Sequence, residues 1–279
     1  MKKTFFAFLC LFYLLNVHCQ ESVAVQQSEY NCLMIQGVNS MDNQQYDEAI
    51  VCFQKASNIC PHYHKPYYFL ISCYDYIGDT IQTYIQFEKM ILTGTKISAI
   101  STYAFPQFAK TSLYSKLLQI EDSLLRIANN RFDQSFIEEM SQLIKLQKQQ
   151  CSNSYVNLVV LDSLIATCEK YGKFPSALNS PIDLYRRIIT LVNYSLSGYD
   201  PESERWQEIK NIIIKEFERG GIESDYVATI IDIDLYHRGL ETQYGVLNEE
   251  SFPDMKKPTA ETMIKNRVEI GLCDNLLDE

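Results

Sequence analysis

Ten glycines in 279 residues, placed singly or at the ends of helical segments apart from the pair Gly220-Gly221, leave no glycine-rich loop to cradle a phosphate. H-E-x-x-H, G-x-S-x-G and calcium-loop patterns are also missing, which removes the common metalloprotease, hydrolase and EF-hand templates. Basic residues occur as isolated pairs, Arg186-Arg187 and Lys256-Lys257, on a chain of net charge −10. They read as solvated surface, and so acidic a chain without a basic cluster is a poor candidate for gripping a nucleic-acid backbone. Nine cysteines contain no C-x-x-C. No set of alternating segments suggests strands, and no apolar run reaches the roughly 20 residues that cross a bilayer.

What is present begins at the first residue. Lys2 and Lys3 precede "TFFAFLCLFYLLNV" and then His18-Cys19-Gln20. A basic start and a short apolar core predict a signal peptide over residues 1–19, with the mature chain starting at Gln20. Retention as an uncleaved anchor and lipidation of Cys19 are the alternatives; Asn16-Val17-His18 is a poor lipidation motif. The expected location is outside the cytoplasm: periplasmic, secreted or on the outer surface. Loss of the two lysines takes the charge from −10 to −12. Cys32, Cys52, Cys60, Cys73, Cys151, Cys168 and Cys273 would remain. That number is odd, most have apolar neighbours at helical spacing, and the spacing assigns no bridge.

From Tyr30 a 34-residue frame places Gly37, Ala49, Phe53, Ala56 and Pro61 where two antiparallel helices need small residues, a filling ring and a stop. A second frame from His64 gives Tyr67, Leu70 and Tyr74, a turn at Gly78-Asp79, then Ile81, Phe87 and Met90. Thr83 stands where alanine is usual, and no proline closes the unit. A third frame fails at Pro106, and "SLYSKLLQIEDSLLRIA" reads as a capping helix. The stretch "GVNSMDNQQYDEAIVCFQKASNICP" resembles the tetratricopeptide repeat. This implies two repeats over residues 30–97, after an N-terminal segment 20–29, with a capping and linking helix over 98–133. The family's concave face holds extended peptides. By position that face carries Met34, Val38 and Met41, then Lys65, Tyr68, Asp75 and Tyr76, the expected contacts for a protein or peptide partner. Packing between repeats, or burial under the rest of the chain, is the competing use of these side chains. Cys52, Cys60, His62 and His64 have spacing that could suit zinc. The repeat frame already explains Pro61 and the helix end, so no metal is expected.

Residues 134–279 read as a second helical domain. "FIEEMSQLIKLQ" and "LVVLDSLIATCEKYG" carry apolar residues at helical spacing. Ser180-Pro181-Ile182-Asp183 and Asp200-Pro201-Glu202 through Glu204 offer helix starts, and Gly220 and Gly239 offer stops. The region 134–273 resembles a bacterial domain family of unknown function. Gly172, Pro175, Asp232, Gly239, Tyr244, Gly245, Arg267, Gly271 and Leu272 match its short motifs. Asn193 replaces its histidine, Ile233 its arginine and Val246-Leu247 its Thr-Gln, and Gln243 is displaced by one position. If this region binds a small ligand or does chemistry, the candidate pocket lies near Asp232, His237, Gln243, Tyr244 and Arg267, although His237 at the last turn of a helix also reads as a capping or surface group.

The expected fold class is all-α: a short tetratricopeptide-like α-solenoid joined to a second helical domain. The leading expectation is an exported, non-catalytic interaction protein without cofactor or catalytic residue. An enzyme or small-ligand binder using the Asp232–Arg267 set is the alternative. Convergence of those five side chains on one cavity would separate the two.

Overall fold

A computed structural model describes residues 23–149, 154–196, 202–248 and 250–272. The expected signal peptide over residues 1–19, with Cys19, and Gln20, Cys151, Asp200, Pro201 and Cys273 lie outside the described residues. Eleven α-helices account for the architecture among those described: α1 (Val23–Asp42), α2 (Tyr46–Ile59), α3 (Lys65–Tyr76), α4 (Thr80–Ile91), α5 (Ser112–Asn130), α6 (Gln134–Gln149), α7 (Ser154–Tyr171), α8 (Ile182–Leu196), α9 (Glu204–Glu218), α10 (Ser224–His237) and α11 (Ala260–Glu269). The fold is all-α. The described residues hold no β-strand, only an isolated bridge between Glu241 and Lys256. None of these helices is long and apolar enough to cross a membrane.

Local chemistry sets many of the helix ends. The Asp79 carboxylate accepts from the Gln82 amide at 2.9 Å, Ser203 accepts from Trp206 at 3.2 Å, and Thr259 accepts from Thr262 at 3.3 Å. Each satisfies one of the amides that a helix start leaves without an internal partner. Ser180 does something other than the expected capping. Its hydroxyl donates to the Ser176 carbonyl at 2.9 Å, and α8 begins two residues later at Ile182. Gly239 ends α10 with φ +67, a conformation that costs a side chain strain but glycine little.

Helices α1 to α5 pack each against the next, and α1 also touches α3. Their core holds Tyr30, Met34, Ala49, Phe53, Ala56, Tyr63, Leu70, Phe87 and Phe108. Gly37 lets α1 approach α2 closely, since a Cβ there would lie 2.5 Å from the Phe53 ring. Phe53 stacks in turn on Phe69, with centroids 4.9 Å apart. Between α4 and α5 the chain makes three short 3-10 turns, 97–99, 102–104 and 108–110, where the expected capping segment begins. They seat Phe105 and Phe108 around Phe87.

A second core, built from α6 to α10, includes Phe136, Leu161, Ile165, Tyr185, Ile188, Trp206 and Ile213. Trp206, the sole tryptophan, donates its indole N–H to the buried Asp234 at 2.6 Å. Helix α1 belongs to the first core yet also packs against α9 and α11. Asn31 on α1 donates to the Ser224 hydroxyl and to the Gly271 carbonyl, both at 2.8 Å. A Cβ at Gly271 would run into the backbone of Ala24 and Ser28, so glycine is needed for this close return of the chain. Cys32 is disulfide-bonded, whereas Cys52, Cys60, Cys73 and Cys168 are free thiols.

Ala49 and Ala56 are fully buried. Ala49→Leu is expected to overpack this interface and destabilise the protein by about 1–3 kcal/mol. A chemical-denaturation series checks this; an unchanged midpoint would mean the helix pair tolerates bulk there.

Candidate functional site

The acidic and aromatic residues that the sequence singled out near the C-terminus form a solid knot. Asp232, fully buried on α10, accepts the backbone N–H groups of Gln243 at 2.7 Å, Tyr244 at 2.9 Å and Val246 at 3.0 Å. Arg267, buried on α11, donates to the Tyr244 carbonyl at 2.9 Å and to the Gly245 carbonyl at 3.4 Å. The Gln243 amide donates to the Tyr244 hydroxyl at 3.0 Å. Burial, reinforced by Asp232 and Glu269, pushes the Tyr244 phenol up to about 12. This carboxylate and guanidinium therefore spend themselves on holding one loop in place. His237 stands apart. It is exposed at the end of α10, in a shallow depression with Tyr236, Leu240, Pro253 and Lys256. Four of the five expected pocket residues come together, around backbone, and the histidine does not join them.

The residues expected to face a partner also divide. Asp75 is buried, and its carboxylate accepts the amides of Gln107 at 3.1 Å and Phe108 at 2.5 Å, anchoring the third 3-10 turn. Tyr76 is exposed and stacks on Tyr46 at 5.1 Å. Met34 is buried in the first core, with Val38 and Met41 packed against it. Lys65 and Tyr68 line a groove of about 360 Å³ between α3, the 95–101 turns and the start of α8. Phe69, Met90 and Ile100 form its apolar walls, and Arg186 and Asp183 stand across from α3.

Behind this groove lies a cluster that the sequence did not announce. Glu223, in the turn before α10, is buried with its carboxylate 2.5 Å from the Lys65 ammonium. Asp225 takes the same ammonium at 3.0 Å from the surface side. Tyr30, Tyr63 and Tyr185 are buried around Glu223, and each phenol is raised above its ordinary range, first by burial and next by the Glu223 charge. Tyr63 accepts from Gln27 at 2.7 Å and donates to the Gly220 carbonyl at 3.0 Å. The His62 ring meets that carbonyl through Nε2 at 2.9 Å. One carboxylate oxygen of Glu223 and the Tyr30 hydroxyl have no hydrogen-bond partner among the described residues.

The two partners of the buried pair respond oppositely to one environment. Burial raises Glu223 to about 7, more than the attraction of Lys65 lowers it. For Lys65 burial works against the charge, yet Glu223, Asp225 and Tyr226 together outweigh it and hold the ammonium protonated well above its usual range. A raised carboxyl binds its proton more tightly in the folded chain than in the unfolded one. The stability it contributes is full below the ordinary glutamate range and is lost as pH rises through about 7.

Sequence reading missed Glu223 because an acid one place before Ser224-Asp225 looks like ordinary helix-start chemistry. Arg186 was placed on the surface, where it is, but its groove became visible only in three dimensions. Comparison with protein-family models, curated proteins and solved structures finds no match for this chain.

Asp232→Ala would leave three backbone amides, that of Tyr244 buried, without their acceptor, and a loss of about 2 kcal/mol or more is expected. His237→Ala should change stability by less than about 0.5 kcal/mol. Thermal melts of both variants check this, and equal effects would refute the division of these residues into knot and surface.

Proposed function

We propose that this chain is an exported, non-catalytic interaction protein that holds an extended segment of a protein partner in the groove beside Tyr68. The groove is the observation that carries the reading. Its walls are apolar, Tyr68 and Phe69 meet edge to face in its lining, and the charged groups Lys65, Asp183 and Arg186 line it too. Tyrosine supplies broad contact area with few rotatable bonds and a polar tip, which suits a partner-binding surface. The first two helical hairpins are read as tetratricopeptide-like repeats, supported by Gly37 against Phe53 and by the buried Ala49 and Ala56. On this reading α8, α9 and α11 cover part of the face on which such repeats hold peptides, and the groove is the part left open.

Export is proposed from the basic, then apolar, start of the sequence, and the disulfide at Cys32 agrees with an oxidising compartment. A pocket enzyme at Asp232, His237, Gln243, Tyr244 and Arg267 has less support, since the first and last of these are engaged with backbone and His237 lies elsewhere.

Two measurements test the proposal. The native protein should have a mass corresponding to a chain starting at Gln20; a retained Met1 or a lipid on Cys19 contradicts this. In a pull-down from the producing cells, Tyr68→Ala should reduce partner recovery at least about tenfold, as for a central contact worth more than 1 kcal/mol. Tyr76→Ala and His237→Ala should retain it. Loss on His237→Ala, with Tyr68→Ala silent, would overturn the groove in favour of the C-terminal site.

A further inference from the structure

We propose that the segment held in the groove ends in a carboxylate that lodges between Lys65 and Arg186, and that it is taken up together with a proton onto Glu223. The inference rests on the groove reading above and adds the ligand's chemistry and its coupling to the buried acid.

The argument starts from Arg186. It is exposed, lines the groove, and makes no ion pair with any described residue. Lys65 and His64 line the same groove, and the His64 ring is driven to about 3 by burial first, then by the charges of Arg186 and Lys65. His64 is therefore neutral throughout the physiological range and offers no competing charge. The apolar walls account for a side chain of the ligand, and the two cations account for its end. Asp183 at the start of α8 is the one acid among the lining residues, beside the cations Lys65 and Arg186.

Lys65 is the shared part. It lines the groove, and its ammonium sits on Glu223 and Asp225. With both acids ionised, the lysine is more than neutralised and has little to offer an anion. With Glu223 protonated, the trio becomes neutral overall, and the lysine faces the groove with Asp225 as its single counter-charge. A ligand carboxylate and the Glu223 charge thus compete for one ammonium. By linkage, whatever favours the anion in the groove favours the proton on Glu223.

The surroundings of Glu223 are compatible with holding that proton. Tyr30 faces it from α1, Cys60 and Tyr63 from the connection between α2 and α3, and Lys65 from α3. Arg186 acts on it from α8, beside Tyr185, and Asp225 and Tyr226 act from α10. The phenols and the thiol are all shifted upward by burial, and His62, which burial lowers, already meets the Gly220 carbonyl. Glu223 is the group in this set poised to change charge near neutrality.

The test uses the full chain and two random pools of acetylated tripeptides, one with free carboxylates and one amidated, with 3-phenylpropionate as a third probe. Bound peptides are identified by mass spectrometry, and affinities follow from calorimetry at pH 6 and pH 8. The carboxylate pool should bind, and the amide pool should bind at least about tenfold more weakly. Affinity should fall about fivefold or more from pH 6 to pH 8, within the usual range of coupling between sites. Calorimetry in two buffers of different ionisation enthalpy should show proton uptake on binding near pH 7, which needs no variant. Glu223→Gln should bind equally at both pH values, and Arg186→Gln should lose the preference for carboxylate over amide.

Equal binding of the two pools, or carboxylate binding with neither proton uptake nor pH dependence, overturns this inference and leaves the groove reading standing. Silence of both pools at millimolar concentration overturns the groove reading itself. Binding of 3-phenylpropionate with the peptides silent keeps the carboxylate site and removes the peptide.

Discussion

One buried carboxylate links the two cores of this protein. Glu223 reaches from the turn before α10 into a nest of tyrosines contributed largely by the first helices, and meets Lys65 there. Removing a charge from water is expensive, and a single ion pair often fails to repay it. Here the burial penalty outweighs the pair for the acid, while two acids outweigh it for the lysine. The contact is therefore a poor source of bulk stability and a good source of registry. It fixes which turn of the second core meets which helix of the first. The Gly220 carbonyl, accepting from Tyr63 and meeting His62, adds further polar contacts at the same seam.

The polar residues of the second half follow a related logic. Glu216 accepts from Ser176 at 2.6 Å and from Asn179 at 3.0 Å, fastening the turn before α8 to the end of α9. The Ala177 amide donates to the Gly221 carbonyl at 3.0 Å, so the 176–180 and 220–223 turns are held side by side. Asp232 and Asp234 each satisfy several donors from within the fold. These acids look functional in a sequence because buried charges are rare. Their geometry assigns them to loop and helix positioning.

Legibility tracked the range of the interaction. Helix type and the glycine stops were readable, because they depend on residues within one or two turns of one another. The close approach at Gly37 was readable through the repeat-like spacing of Ala49 and Phe53. The start of α9 was expected from Asp200-Pro201 and the acids after them, whereas Ser203 supplies its cap, since the nearby acids offer the same kind of acceptor. Lys65 and Glu223 lie 158 positions apart, and no local pattern distinguishes such an acid from the many that start helices. Asp75 was assigned to a surface for the same reason. Its amide partners, Gln107 and Phe108, sit on a stretch without helical periodicity.

Asn31 has a consequence for how the chain is made. It bonds to Ser224 and Gly271, and α1 packs on α9 and α11 as well as on α2. The earliest described helix therefore receives some of its partners only after residue 271 has been synthesised. At the ordinary pace of about 5–20 residues per second, residue 271 trails Asn31 by roughly ten seconds or more. Throughout that interval the side of α1 that will meet α9 and α11 is incomplete. Long-range closure of this kind slows final folding, so the nascent chain has a built-in delay before its outermost layer locks.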